Sequence, residues 1–326
     1  MEVIYAFDKS IEKDVPHQLN YFLKSNKNFY KLYISSLSLI KKLYFLSIDL
    51  HSKNEKKFLK SDSDISLKKF SNNLILKKIS SDEVLSDQIK LFKINYWETY
   101  PEHIDSIWKE IIESSLLENY SNDSKNTFEE DKVFVVNLFK KIIAPNSKLF
   151  EFYEDMEISW ANDYPLINTL VLNSLKKIKS RSRISFVMKR LYKNEEDADF
   201  GVKIIKAVIE NKDMLQEEIG KITPNWDNER IAQIDLILLQ MCLSEFLFFD
   251  SIPIKVSINE YLEIAKEYSS NKSNIFINGI MDSLSKQLDK DKRINKNKRG
   301  LQLFTCLLYT SDAADDLLCV DLGGRR

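Results

Sequence analysis

Turn-forming residues are scarce in this chain, with six glycines and six prolines among 326 residues. A fold of short strands reverses often and draws on such residues at each reversal, so the scarcity points to helices joined by polar loops. An apolar content of 44% supplies material for real cores, and the length accommodates two packed domains. The expected class is all-α.

Periodicity supports that class along most of the chain. Phe29, Leu32, Tyr33, Leu37, Ile40, Leu43 and Tyr44 keep the spacing of one helix face within a helical region over residues 1–50. Residues 51–95 are rich in Ser, Lys and Asn and read as a mobile insertion with one or two modest helices. Ile104, Ile107, Trp108, Ile111 and Ile112 mark a helical stretch between Trp97 and Tyr120. Thr127 and Glu130 form a capping box ahead of the stripe Val135, Leu138, Phe139, Ile142 and Ile143, and Pro145 stops that helix. Further helices are expected over 147–157, 163–178 and 195–221. The pattern is sharpest from Trp226 to about Leu288. There Ile234, Leu238, Met241, Cys242 and Phe246 line a long helix, Ser257 with Glu260 opens another as a second capping box, and Ile277, Ile280, Met281, Leu284 and Leu288 line a third.

Bond-making chemistry has little support in this composition. Phosphate-cradling loops need closely spaced glycines, whereas Gly201, Gly220, Gly279 and Gly300 are isolated. His17, His51 and His103 lie far apart and outside any metal-binding spacing, so neither a metal nor a cofactor is expected. The pairs Glu129-Glu130, Glu195-Glu196 and Glu217-Glu218 sit near expected helix starts or on polar faces, where carboxylates stabilise the helix dipole. Cys242 lies on an apolar stripe without a basic neighbour and reads as a buried, inert thiol. No catalytic residue is assigned. The three cysteines, with no signal peptide ahead of them, suit reduced thiols in a cytoplasmic protein. The most apolar stretch, Ile231 to Phe249, is interrupted by Gln233, Asp235, Gln240 and Glu245, which a bilayer centre tolerates poorly, so no membrane association is expected. With 48 basic against 49 acidic side chains, any attraction to nucleic acid must come from a local patch.

Several blocks near the C-terminal end carry a family resemblance by their order and spacing. They are Trp226-Asp227-Asn228-Glu229-Arg230, Ser244-Glu245-Phe246-Leu247, Ile252-Pro253-Ile254-Lys255-Val256-Ser257-Ile258-Asn259-Glu260, Glu263-Ile264-Ala265-Lys266 and Phe276-Ile277-Asn278-Gly279-Ile280-Met281-Asp282. Together they resemble the NusB transcription-antitermination family. Tyr5-Ala6-Phe7, Phe128-Glu129-Glu130-Asp131-Lys132 and Trp160-Ala161-Asn162-Asp163 are similar to the longer N-terminal half of Bacteroidetes-type members. The resemblance implies an all-α fold of two packed helical bundles and a role without catalysis. It also implies partners: NusE, a protein of the small ribosomal subunit, and the boxA element of ribosomal RNA leaders, within the RNA polymerase antitermination complex.

The resemblance also directs attention to particular residues. The family's arginine-rich lead is absent before Met1, and a natural start upstream is expected. In the loop before the last helix, Lys272 stands where many relatives carry an acidic residue. A cation beside the amides of a helix start attracts phosphate, which makes Lys272, Ser273 and neighbouring Asn271 candidate RNA contacts. The alternative for Ser273 is a helix cap in a solvated loop. Phe276 is a candidate for stacking on an unpaired base, or else a core aromatic. Tyr5 matches a position implicated in partner binding, with burial as the simpler account. Asn278 and Gly279 are expected to permit close helix packing, and Asn259 with Glu260 to serve a helix start. The run Lys286, Lys290, Lys292, Arg293, Lys296, Lys298 and Arg299 either reinforces an RNA patch or is a solvated tail.

The expected organisation is an N-terminal helical region over 1–221 containing the insertion at 51–95, a NusB-like core over 222–290, and a basic tail over 291–303. Residues 304–326 resemble translated sequencing-adapter read-through and are expected to be non-native. Two rival functions stay open at this point: a module that binds NusE without RNA, and a NusB-like fragment of an RNA methyltransferase.

Overall fold

A computed structural model of the chain describes residues 1–54, 62–122, 127–181, 190–223 and 232–301, without the side chains of 62–64, 271 and 272. The Trp226–Arg230 block and the stretch 304–326 lie outside the described residues. Every regular element among the described residues is a helix. In chain order they are α1 (Glu2–Lys9), α2 (Val15–Asn54), α3 (Asp62–Ser71), α4 (Leu74–Ser80), α5 (Glu83–Leu91), α6 (Tyr96–Thr99), α7 (Pro101–Ile112), α8 (Ser115–Asn122) and α9 (Phe128–Leu138). A π-helical turn (Phe139–Ile143) follows, then α10 (Ser147–Met156), α11 (Trp160–Lys177), α12 (Glu195–Glu210), α13 (Lys212–Ile222), α14 (Gln233–Phe248), α15 (Ile254–Tyr268) and α16 (Asn271–Lys290). No described helix is long and apolar enough to cross a membrane.

The described residues divide into two compact units, 25–191 and a second made of 1–24 with 192–301. In the first, the stripe of α2 is buried as its spacing predicts, with Leu32, Leu37, Ile40 and Leu43 inside. The capping box of α9 is present: the Glu130 amide donates to Thr127 Oγ1 at 3.3 Å, and the Thr127 amide donates to Glu130 Oε2 at 3.2 Å.

Of the polar insertion, residues 62–95 carry three helices, more than the one or two expected. Asn73 accepts from the amides of Ile75 and Leu76 at 3.0 Å each, Asp82 accepts from Leu85 at 2.9 Å, and the two caps start α4 and α5. Phe70, Ile75, Leu76, Ile79 and Leu85 enter the core. The buried carboxylate of Asp131 binds this segment to α9, accepting from the Leu74 amide at 2.7 Å and from the Tyr120 hydroxyl. Burial first, then Asp131, pushes the Tyr120 phenol far above its ordinary pKa, so it stays a donor.

The second unit is organised around α14, whose residues from Ile237 to Phe246 are buried on every face. Helices α1, α12, α13, α15 and α16 surround it. Polar groups go in with it. Glu245 accepts from Tyr261 Oη at 2.7 Å, and burial pushes its carboxyl pKa up. Lys296 Nζ donates to the carbonyls of Glu245 at 2.9 Å and Phe249 at 2.6 Å, placing a cation at the C-terminal end of α14. Cys242 is buried and its thiol pKa is raised by burial, in keeping with an inert side chain.

Three boundaries differ from the periodicity reading. The stretch 195–221 is two helices meeting at Asn211, whose Nδ2 donates to the Ala207 carbonyl at 2.8 Å and closes α12. Trp97 to Tyr120 is likewise broken, with Pro101 opening α7. Helix α15 starts at Ile254 behind Pro253, so Ser257 is a buried residue inside the helix and not the cap of a box with Glu260.

Part of the basic run is tied to its unit, while Lys290, Lys292 and Lys298 are exposed. Arg293 binds Glu218 at 2.8 Å, Arg299 binds Glu196 at 3.2 Å, Lys286 binds Asp282 at 2.6 Å, and the Asn297 amide donates to the Asp250 carbonyl at 3.0 Å. At Gly300 a Cβ would stand 2.1 Å from the Asp250 carbonyl oxygen, so only glycine fits where this strap crosses the end of α14.

Candidate nucleic-acid interface

The first turn of α16 gathers the predicted RNA contacts. Its cap is Ser270, not Ser273: the Ser273 amide donates to Ser270 Oγ at 3.2 Å, and the two hydroxyls lie 3.0 Å apart. Ser273 therefore occupies the position whose amide is satisfied by the cap, and its half-buried side chain sits at the helix start. The side chains of Asn271 and Lys272 lie outside the described residues. Phe276 is half-buried and packs against the core of its unit, so its ring is divided between core and surface. Ile280, one turn on, is buried.

Helix α1 approaches the same corner. Val3, Ile4 and Phe7 face inward, whereas Tyr5 is 38% exposed with the Lys9 ammonium 5.7 Å from its ring centre. Burial is therefore not what holds Tyr5. One turn earlier, Glu2 accepts from the Tyr268 hydroxyl at 3.3 Å, tying α1 to the end of α15 just ahead of the α16 cap. Tyr268 is 47% exposed and was not singled out by sequence, because it continues the core spacing of Tyr261 and Ala265. Ser269 donates to the buried carboxylate of Asp235, which fixes the loop from below. Two carboxylates, Glu2 and Asp235, thus border the corner, and attraction for phosphate must come from the helix start and its cations.

The opposite flank of α16 forms a groove of about 340 Å³ against α15, lined by Asn259, Leu262, Glu263, Lys266, Asn274, Ile275 and Asn278. This corrects the packing role expected of Asn278 and Gly279. Both are exposed, and a Cβ on Gly279 would meet nothing within 4 Å. Among the described residues no cluster of His, Cys, Asp or Glu is gathered to hold a metal ion.

Comparison with known proteins agrees with this architecture. The NusB family model matches residues 166–286. The chain is 36% identical over 145 residues to the transcription antitermination protein NusB of Clostridium tetani, an alignment covering 41% of this chain and 90% of that protein. The chain belongs to the NusB family. It is 44% identical over 100 residues to the NusB protein of Clostridium kluyveri, covering 31% of this chain and 62% of that one. It is 43% identical over 103 residues to that of Chloroherpeton thalassium, covering 32% and 49%. The matched part thus spans about half to two thirds of the length of these two relatives. No solved structure matches the chain.

Proposed function

We propose that this protein is a non-enzymatic transcription antitermination factor that pairs with NusE on single-stranded boxA-like RNA of ribosomal leader transcripts. The observation that carries this reading is the alignment over 90% of the Clostridium tetani transcription antitermination protein NusB. The geometry adds to it: the capped start of α16 carries Ser273 and the partly buried Phe276, and exposed Tyr268 ends the helix before it, a combination suited to a phosphate next to an unstacked base. Tyr5, exposed on α1, is the candidate contact for the protein partner.

Fluorescence anisotropy with boxA RNA and a scrambled RNA of equal length tests the reading. Binding should prefer boxA, weaken with salt and tighten when NusE is added. Phe276→Ala should lower boxA affinity about tenfold, corresponding to stacking worth about 1–3 kcal/mol per base. Equal affinity for both RNAs, with and without NusE, would contradict the proposal.

A further inference from the structure

We infer that the unit of residues 25–191 carries a second RNA surface, a cationic corner where α4 and α11 end, which takes the phosphate backbone of a single strand without reading its sequence. The inference rests on the RNA-binding function proposed above; Lys77 and Lys78 precede the family match at 166–286, and Lys176 to Arg181 lie near its start.

Lys77 and Lys78 occupy the last turn of α4, and Lys176 and Lys177 the last turn of α11. The two ends meet: Lys78 Nζ donates to the Ser180 carbonyl at 2.8 Å. Ile178 is buried and pins the chain between Lys177 and Lys179, so Lys179 and Arg181 project from a fixed segment. Lys77, Lys176, Lys177, Lys179 and Arg181 are all exposed, and among the described residues Lys77, Lys176 and Arg181 take part in no ion pair.

Helix ends attract cations, which accounts for four of these six charges but not for Lys179 and Arg181 beyond the last turn. The acidic neighbours in sequence are Asp82 and Glu83. Asp82 caps α5 through its bond to the Leu85 amide and also faces the cation of Lys41. The cations therefore outnumber the acidic groups that neighbour them in sequence, while the acidic first turn of α9 sits at the other end of α4, where Asp131 accepts from the Leu74 amide. A polyanion with closely spaced charges, such as an RNA backbone, gains from each cation it meets through counterion release.

The test uses the full chain and a variant carrying Lys77→Gln, Lys78→Gln, Lys176→Gln and Arg181→Gln. Affinity for boxA RNA and for a scrambled RNA is measured across a range of KCl concentrations. The variant should lose at least about tenfold in affinity for both RNAs at low salt, with a salt slope shallower by about 2 to 3, from roughly 0.7 per phosphate on a single strand. Far-UV circular dichroism and the thermal midpoint check its fold. If the fourfold variant does not fold, Lys176→Gln with Arg181→Gln should show about half the change in slope. A wild-type protein that binds neither RNA overturns the proposed function and this surface together. A wild type that binds, with a folded variant matching its affinity and slope, overturns the surface alone.

Discussion

In the unit of residues 25–191 the core is built on rings: Trp97, Phe152, Tyr153, Trp160 and Tyr164 interlock edge to face or tilted, with neighbouring centroids 5.6–6.2 Å apart. Around α14 of the other unit the buried apolar residues are mostly Leu, Ile, Val and Met, with Cys242 and Ala265, and the buried rings of that cluster are Phe246 and Tyr261. The polar groups taken inside differ in the same way. Most ring-bearing residues of the first unit are held by neutral bonds, Trp160 Nε1 to the Asn28 carbonyl at 3.0 Å, Trp97 Nε1 to Ser38 at 2.8 Å and Tyr33 to Ser174 at 2.7 Å, with Tyr120 on the Asp131 carboxylate as the exception. The second unit holds charged groups, Glu218 with Arg293 and Glu245 beneath Lys296. Rings of fixed shape and direction tolerate loss of volume poorly, while charges make stability depend on pH. The first unit should therefore answer to truncation and the second to protonation.

Trp160→Ala probes the first half of that contrast most strongly. It removes a side chain that is 2% exposed, its bond to Asn28 and its contacts with Tyr96 and Tyr153. The expected loss is about 3–5 kcal/mol in urea unfolding followed by far-UV circular dichroism. Leu238→Ala in α14, although fully buried, should cost less, about 2–3 kcal/mol, because an aliphatic surround collapses more readily around the gap. The reverse order would erase the contrast between the two cores.

Arg293→Ala tests the charged unit at the next level, with an expected loss of about 1–2 kcal/mol at pH 7. Burial alone would raise the Glu218 carboxyl pKa, but its bonds to Arg293 and Lys221 overcome that and hold it below the ordinary 4.5. A depressed carboxylate pKa stabilises the fold above the unfolded value and loses that contribution as pH falls through the folded one. The cost of Arg293→Ala should therefore shrink below about pH 4.5, and a pH-independent cost would contradict the assignment.

Glu245→Gln is the smallest change and runs the other way. Its carboxyl pKa is raised in the fold, mainly by burial, so wild-type stability falls as pH rises from the unfolded value through the folded one. The amide keeps an acceptor for Tyr261 and removes the buried charge, so the variant should be more stable than wild type at neutral pH and equal to it near pH 4. A variant less stable at pH 7 would show that the carboxylate contributes more through Lys296 than it costs through burial.

The sequence was legible where partners lie close along the chain. The all-α class, the stripe of α2 and the capping box of α9 each depend on neighbours three or four residues away. The packing of residues 62–95 was hidden because their buried residues arrive in clusters such as Ile75-Leu76-Ile79, too short for a helical period to emerge from the surrounding lysines and serines. The strap at 291–301 was also hidden, since only the fold brings Arg293 to Glu218 and Lys296 to the end of α14. At the candidate interface the helix start was readable, but Ser270 replaced Ser273 as its cap. The exposed faces of Tyr268, Asn278 and Gly279 depend on which side of each helix its neighbours cover, which spacing alone does not determine.

Transcription through a terminator placed downstream of a boxA sequence measures the central claim most directly. With RNA polymerase and NusE present, adding this protein should raise read-through, and scrambling boxA should abolish the gain. Read-through that is the same with and without the protein would contradict the account.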